Sequence, residues 1–251
     1  MGLFDFLTNK PTVSNVEKVM KRMLNEHHQQ QVRQESMEQL ANWGTLEAIQ
    51  ALTRRLAVNF RDTIVNEQEK RWVADALVER FGERSIDPLI FFIRKEQNVS
   101  TAVRALQRLV STERLVEVLT ETLGAYAPVD YRSTQAKAQL IDALEEHAAA
   151  SVLERIVPFI ADHDDDVRIK VIEQVQARFA DAPADSQARA CDGLVGALLD
   201  PEAASRIQRR VGEALAAVGA ELSAYVADGR LTAAVMPEGY TLTSAGRVER
   251  R

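Results

Sequence analysis

A helical pattern of apolar residues recurs along this 251-residue chain and constrains its fold more than any other feature. In the segment 162–179, four apolar residues lie at i, i+4, i+5 and i+8, on one face of a helix: Val167, Val171, Ile172 and Val175. The segment 30–44 repeats these spacings with Val32, Ser36, Met37 and Leu40. Such self-similarity predicts a fold built from repeated helical units.

One position of the repeated helix is often basic. Four of six equivalent positions carry a basic residue: Arg33, Arg71, Lys137 and Arg168. The other two carry Ala102 and Gln208. Arg71 was assigned by aligning the segment 69–82 on its closing glycine.

Each of these helices follows another predicted helix. The preceding helices are predicted at Val13–Asn25, Thr45–Val58, Arg84–Glu96, Thr112–Tyr126, Ala149–Ala161 and Ser186–Leu199. At the second of them, Gly44 ends the previous helix and Thr45 caps the next. A long connection is expected at 59–70. Helix pairs repeating every 30 to 40 residues predict an all-α solenoid, in which stacked pairs bury their apolar faces on one another.

The predicted domain organisation has three parts. Residues 1–11 form an N-terminal cap through Leu3, Phe4, Phe6 and Leu7. The solenoid covers 12–219, with units at about 12–44, 45–82, 83–111, 112–148, 149–180 and 185–219. Residues 220–251 form a C-terminal cap and tail, where the alternation around Tyr240 and Val248 allows a small hairpin. Whether the tail only caps the solenoid or also binds a partner is open.

Several features give the chain a resemblance to a known family. They are Pro158 within the first helix of a pair, the acidic turn Asp162–Asp166, the Val-Arg pairs at 32–33 and 167–168, and the segment GTLEAIQAL. Over about residues 12–219, the chain resembles HEAT-repeat proteins of the short bacterial, lyase-like type. The resemblance implies a right-handed α-solenoid of about six helix pairs. It also implies that a turn aspartate and a basic residue link neighbouring units: Asp165 with Arg168, and the equivalents Arg33, Arg71 and Lys137.

The sequence contains little candidate chemistry. His163 and the surrounding aspartates could bind a hard cation, but the turn lacks the glycine and the spaced ligands of a calcium loop. A helix start capped by Asp164 or Asp165 is favoured instead. HEAT-repeat iron hydroxylases build their metal site from His-Glu pairs, and the absence of any His-Glu dipeptide argues against that class. We therefore predict no catalytic residue, no metal ligand and no cofactor, and a protein that is not an enzyme.

The charge distribution and the cysteine content indicate the class of partner and the cellular compartment. The net charge is −6, and residues 111–205 hold 18 acidic against 8 basic residues. Carboxylates concentrated in this way disfavour nucleic acid as a partner and predict a protein partner with a basic surface, although solvation explains the acidity equally well. No apolar run reaches the length of a membrane span, and a single cysteine, Cys191, fits a reducing compartment. A cytoplasmic protein is expected.

The predicted function is a non-enzymatic protein-interaction scaffold that presents exposed positions of its second helices to a partner. The residues predicted to bind the partner are Gln34, Glu38, Asn42, Arg104, Gln107, Arg108, Lys170, Glu173 and Gln174. Two alternatives remain open. One is an accessory lyase-like or modifying subunit that binds a small molecule, and the other is nucleic-acid binding through basic clusters. The oligomeric state is also open.

Overall fold

A computed structural model describes residues 10–147 and 150–251 of the chain. The predicted N-terminal cap, with Leu3, Phe4, Phe6 and Leu7, lies outside the described residues. The chain divides between Val118 and Leu119 into two compact units, here called unit 1 and unit 2.

The described part of unit 1 is built from pairs of helices. Their bounds are α1 Val13–Met23, α2 Gln30–Trp43, α3 Leu46–Ala57, α4 Thr63–Asp75, α5 Ile86–Ile93 and α6 Ser100–Gln107. Helix α4 continues as a π-helical segment, Ala76–Phe81, and then as a short 3-10 turn, Gly82–Ser85.

The division between the units falls within α7, Thr112–Gly124. The later helices are α8 Thr134–Leu144, α9 Ala150–Ile156, α10 Asp165–Arg178, α11 Ala184–Leu199, α12 Ser205–Val218 and α13 Ser223–Ala227. Helix α9 continues as a 3-10 segment, Val157–Ala161. Pro158 explains this change, because proline has no N–H to donate to an α-helical hydrogen bond.

Polar side chains fix where several helices begin. The side chains of Thr12, Thr45, Asp62 and Asp164 each accept a hydrogen bond from a backbone N–H in the first turn of the following helix. Because Asp62 starts α4, most of the stretch 59–70 is helix rather than the long connection expected from the sequence. Gly44 ends α2 with φ of 56°, a conformation that glycine adopts without strain.

In each pair, the odd-numbered helix is the first helix and the even-numbered helix is the second. Within each unit, helices of the same kind pack against each other. First helices contact the next first helices, as α1 does α3, α3 does α5, and α9 does α11. Second helices contact the next second helices, as α2 does α4, α4 does α6, α8 does α10, and α10 does α12. The residues between them are fully buried, among them Met37, Leu52, Val73, Leu140, Ile172 and Val211. Each pair therefore buries its apolar faces against its neighbours.

The tail packs against the last long helix of unit 2. Strands β1, Tyr240–Leu242, and β2, Val248–Arg250, pair as an antiparallel hairpin, in the part of the sequence that allows one. Where the tail meets α12, a Cβ placed on Gly212 would lie 2.7 Å from Cγ of Pro237 and 3.1 Å from Cδ2 of Tyr240. Glycine at this position allows the tail to approach the helix so closely.

The predicted all-α class is confirmed, since helix pairs and a short non-repeat tail make up the described residues. In that part of the chain, no helix combines the length and the apolar character needed to cross a membrane.

Candidate interaction surface

A buried ionic joint connects three helices of unit 1. Glu69 on α4 binds two guanidinium groups, since Nε of Arg33 on α2 and Nε of Arg55 on α3 each donate to its carboxylate at 2.9 Å. The exposed fractions of the three side chains are 7% for Arg33, 2% for Glu69 and 0% for Arg55. An isolated buried charge is strongly disfavoured, so the three groups stabilise one another and fix α2, α3 and α4 together.

Neutral groups complete this joint. Arg55 also donates to the carbonyl of Val58 at 2.9 Å and to Oδ1 of Asn66 at 3.0 Å. The ring of Phe60 lies against both guanidinium groups, with its centroid 4.8 Å from Cζ of Arg33 and 4.0 Å from Cζ of Arg55. Burial lowers the pKa of Arg55, and its hydrogen bond to the Glu69 carboxylate opposes that shift.

Neither Arg55 nor Glu69 was among the predicted residues, although their spacing in the sequence indicates burial. Arg55 lies three residues after Leu52, and Glu69 lies four residues before Val73. Both therefore fall on the buried stripes of their helices. Because a fully buried charge is rare unless it is paired, a charged residue on such a stripe indicates a buried ion pair.

The buried basic residue of α4 is Lys70, and the predicted position of Arg71 is wrong by one residue. Lys70 is buried and donates to Oδ1 of Asn59 at 2.5 Å, whereas Arg71 is exposed. The prediction counted back from Gly82, but the π-helical segment Ala76–Phe81 has more residues per turn than an α-helix, which shifts the register. Burial lowers the pKa of Lys70.

A lysine and an aspartate form the corresponding joint in unit 2. Nζ of Lys137 on α8 donates to Oδ2 of Asp162 at 2.5 Å, and both side chains are fully buried. Arg168 on α10 donates to the carbonyl of Ile160 at 3.0 Å, and its Nη2 lies 3.5 Å from Oδ2 of Asp200. Lys137 thus binds the turn before α10, and Arg168 binds the turn before α12.

The predicted pairing of Asp165 with Arg168 is wrong. Asp165, the first residue of α10, accepts a hydrogen bond at 2.9 Å from Nε of Arg206 on α12. Arg168 lies almost one turn later, on the buried side of the helix, and extends back to Ile160. The two side chains therefore bind different neighbours.

The remaining aspartates of this turn organise the start of α10. Oδ1 of Asp164 accepts from the N–H groups of Asp166 and Val167 at 3.0 and 3.1 Å, which confirms the predicted helix cap. Asp166 accepts from Nη1 of Arg206 at 3.0 Å. Nδ1 of the neighbouring His163 lies 3.1 Å from the carbonyl oxygen of Pro128. In the described residues, no three metal-binding side chains come together.

Exposed polar contacts join neighbouring second helices, and we call this set of contacts the ladder. In each contact the acceptor lies on the earlier helix or its continuation. The cation lies on the later helix, on its continuation, or on the residue directly after it. The contacts are Asn42 with Arg80, Asp75 and Glu79 with Arg108, Asp142 with Lys170, Asp165 and Asp166 with Arg206, and Glu173 with Arg210. Exposed ion pairs contribute only about 0–1 kcal/mol each to stability, but they occupy groups that a partner would otherwise contact.

Most of the residues predicted to bind a partner already bind another residue of the chain. Four of them take part in the ladder: Asn42, Arg108, Lys170 and Glu173. Gln34 donates to Glu38 at 2.9 Å within α2. The prediction for Gln174 is wrong, because Gln174 is 5% exposed and donates to the carbonyl of Ile141 at 2.5 Å. It lies on the side of α10 that packs against α8.

Polar side chains that bind no neighbouring helix are found on the second helices of unit 1. Arg71 on α4, and Arg104 and Gln107 on α6, are exposed, and no side-chain hydrogen bond or ion pair to them occurs among the described residues. Gln34 and Glu38 bond only to each other. We call these five side chains the unit 1 face.

Unit 2 contains a cavity of about 510 Å³. It is lined by Phe179, Cys191, Val218 and Tyr225, among other residues. Tyr225 donates to Oδ1 of Asp192 at 2.7 Å. Burial raises the pKa of the Cys191 thiol, which keeps it protonated and weakly nucleophilic.

The fold and these contacts define a class: a protein of stacked helix pairs with buried ionic joints and an exposed polar face. No protein-family model and no curated protein matches the chain. A solved structure of human deoxyhypusine hydroxylase in complex with glycerol matches it with 16% sequence identity, over 90% of this chain and 93% of that chain. The TM-score is 0.31, which transfers neither a site nor an activity to this chain.

The prediction that the protein is not an enzyme is contradicted by this comparison, because the matching structure is that of a hydroxylase. We assign no activity to the chain, and the proposals below concern binding.

Proposed function

We propose that this chain is a HEAT-like repeat protein that binds a partner protein through the unit 1 face. The observation that carries the proposal is a contrast between predicted binding residues. In unit 1, Asn42 and Arg108 are engaged, but Gln34, Glu38, Arg104 and Gln107 bind no neighbouring helix. In unit 2, all three predicted residues, Lys170, Glu173 and Gln174, are already engaged. Groups that are not used within the fold are available to a partner.

The HEAT-like assignment is supported by the position of the joint residues. Arg33, Lys137 and Arg168 are each the fourth residue of a second helix, and each is buried. A basic residue at the same helical position in separate pairs is expected of a repeat whose units are linked by ionic joints.

The buried joint of unit 1 supports the proposal in a second way. Because Arg33, Arg55 and Glu69 fix α2, α3 and α4 relative to one another, the part of the unit 1 face that lies on α2 and α4 is presented with little freedom. A surface that is rigid before binding loses less conformational entropy when a partner docks.

The partner with a basic surface, predicted from net charge, stays a prediction, as does the cytoplasmic location. Several carboxylates of the acidic segment 111–205 already bind cations of the same chain: Asp142, Asp162, Asp165, Asp166 and Glu173. The contact proposed here lies on unit 1 instead.

The proposal is tested by affinity capture with the full chain as bait. One variant replaces Gln34, Glu38, Arg104 and Gln107 with alanine. We expect it to lose a partner that the unchanged chain retains, because contacts with these side chains add to the affinity. Quantitative mass spectrometry of the captured proteins measures the difference.

The matched control replaces four exposed residues of first helices and their ends with alanine: Lys18, Glu47, Asp87 and Lys95. It should retain the partner, and circular dichroism should show the same helix content in all three chains. Equal capture by the face variant and the unchanged chain would refute the proposal.

A further inference from the structure

Helices α4 and α6 lie side by side in the same direction. Near their beginnings, Nδ2 of Asn98, in the turn before α6, donates at 3.3 Å to Oδ1 of Asn59, in the turn before α4. Near their ends, Nη1 of Arg108 donates at 2.7 Å to Oδ1 of Asp75. These two contacts show that the helices run in the same direction. The second contact also places the end of α6 beside Asp75, with 33 residues separating the two partners in the sequence.

The same contact relates the position of Arg71 to that of Arg104. Arg71 lies four residues before Asp75, and Arg104 lies four residues before Arg108. Residues four apart occupy the same face of a helix, one turn away from each other. Arg71 and Arg104 therefore occupy corresponding positions on the two helices, one turn towards the helix beginnings from the Asp75–Arg108 contact.

Arg71 and Arg104 differ from the ladder contacts, because both side chains are cations. Each described ladder contact pairs a cation with an acceptor on the earlier helix, whereas no hydrogen bond or ion pair joins Arg71 or Arg104 to an acceptor among the described residues. Glu67 and Asp75 lie one turn either side of Arg71 along α4, and their recorded hydrogen bonds come from Asn66 and Arg108 instead. Two exposed guanidinium groups that bind no carboxylate of the described residues form a site for an anion.

We propose that Arg71 and Arg104 bind a carboxylate of an acidic segment of the partner protein, with Gln107 as an adjacent hydrogen-bonding group. This inference rests on the proposed function and names the chemistry of the partner at that face. The partner's carboxylate supplies the acceptor that the other ladder contacts take from the chain itself. Each guanidinium presents a planar pair of N–H donors that matches the two carboxylate oxygens.

The test uses four labelled probes and fluorescence anisotropy at low salt. Three are twelve-residue peptides in which serine alternates with glutamate, lysine or phosphoserine, and the fourth is a single-stranded oligonucleotide. We expect the glutamate peptide to bind the full chain with a dissociation constant below about 1 mM, and added salt to weaken it. The Arg71→Glu, Arg104→Glu chain should bind it at least about tenfold more weakly.

The control chain carries Lys18→Glu and Lys95→Glu, which change the net charge by the same amount on other exposed surfaces. It should bind the glutamate peptide within about twofold of the unchanged chain. The Arg71→Lys, Arg104→Lys chain keeps the charge but loses the planar pair of N–H donors. It should bind the glutamate peptide a few-fold more weakly than the unchanged chain. Matching thermal unfolding of all the chains shows that they are folded.

Three results would overturn the inference: no saturable binding of the glutamate peptide, an equal loss in the control chain, or tighter binding of the phosphoserine peptide or the oligonucleotide. The proposed function is tested separately, by the affinity capture described above. If the charge-reversed chain loses the peptide, the anion site stands, even where the four-alanine chain retains all captured proteins and the proposed function fails.

Discussion

Glu69 connects three helices of unit 1, because its single carboxylate is the counter-charge shared by two buried guanidinium groups. Glu69→Gln keeps the shape of the side chain and removes its charge, which leaves Arg33 and Arg55 buried without a counter-charge. Removing one partner of a buried ion pair typically costs about 3–5 kcal/mol. We expect urea unfolding to show a loss of stability of this size.

The matched control is Glu79→Gln, which makes the same chemical change in an exposed contact with Arg108. Its effect should stay within about 1 kcal/mol, because solvent screens the pair. Similar losses in the two variants would mean that the buried joint contributes no more than a surface contact does.

Asp130 gives a prediction for acidic pH. The Ser133 side chain and the N–H of Arg132 hold the pKa of Asp130 below its ordinary value. A carboxyl whose pKa is lowered by folding stabilises the fold above its unfolded pKa, and this contribution disappears as the pH falls through the folded pKa. The Asp130→Ala chain should therefore melt at a lower temperature than the unchanged chain at pH 7, and the difference should shrink as the pH falls through the lowered pKa of Asp130. A difference that is independent of pH would contradict this account.

Residues that act locally could be predicted from the sequence better than those that act across helices. The caps Thr45 and Asp164 follow from neighbouring residues alone. Glu69 binds residues 36 and 14 positions away in the sequence, and nothing in the repeat pattern indicates which helices supply its partners.

At the scale of elements, apolar spacing predicted the existence and order of the helices. What it could not predict was a change of helix type, because the π-helical segment Ala76–Phe81 has no distinctive composition. That segment moves Lys70 into the buried position and leaves Arg71 exposed. The candidate anion site was missed for the same reason.

Substitutions at two glycines test how the tail is attached to α12. In Gly212→Ala the new Cβ would collide with Pro237, and we expect the tail to loosen at a cost of about 1–3 kcal/mol. Faster trypsin cleavage after Arg230, followed by mass spectrometry, would report this loosening.

The contrasting variant is Gly196→Ala. Gly196 lies within α11, and a Cβ there would have nothing within 4 Å. It should stabilise the chain by about 0.5–1 kcal/mol, because alanine favours helix. Unchanged cleavage of the Gly212→Ala chain would show that the tail does not depend on its contact with α12.

At the scale of the whole molecule, neighbouring helix pairs within each unit stabilise one another. Within unit 1, first helices pack on first helices, second helices pack on second helices, and one ionic joint spans α2, α3 and α4. Proteins of this kind transmit a local loss of stability mainly to the nearest pairs.

Native-state hydrogen exchange of the Glu69→Gln chain, resolved by peptide and compared with the unchanged chain, tests this claim most directly. We predict faster exchange in α2, α3 and α4 together, and a smaller increase in α5 and α6. Faster exchange confined to α4, or an equal increase in all the helices of unit 1, would contradict the account.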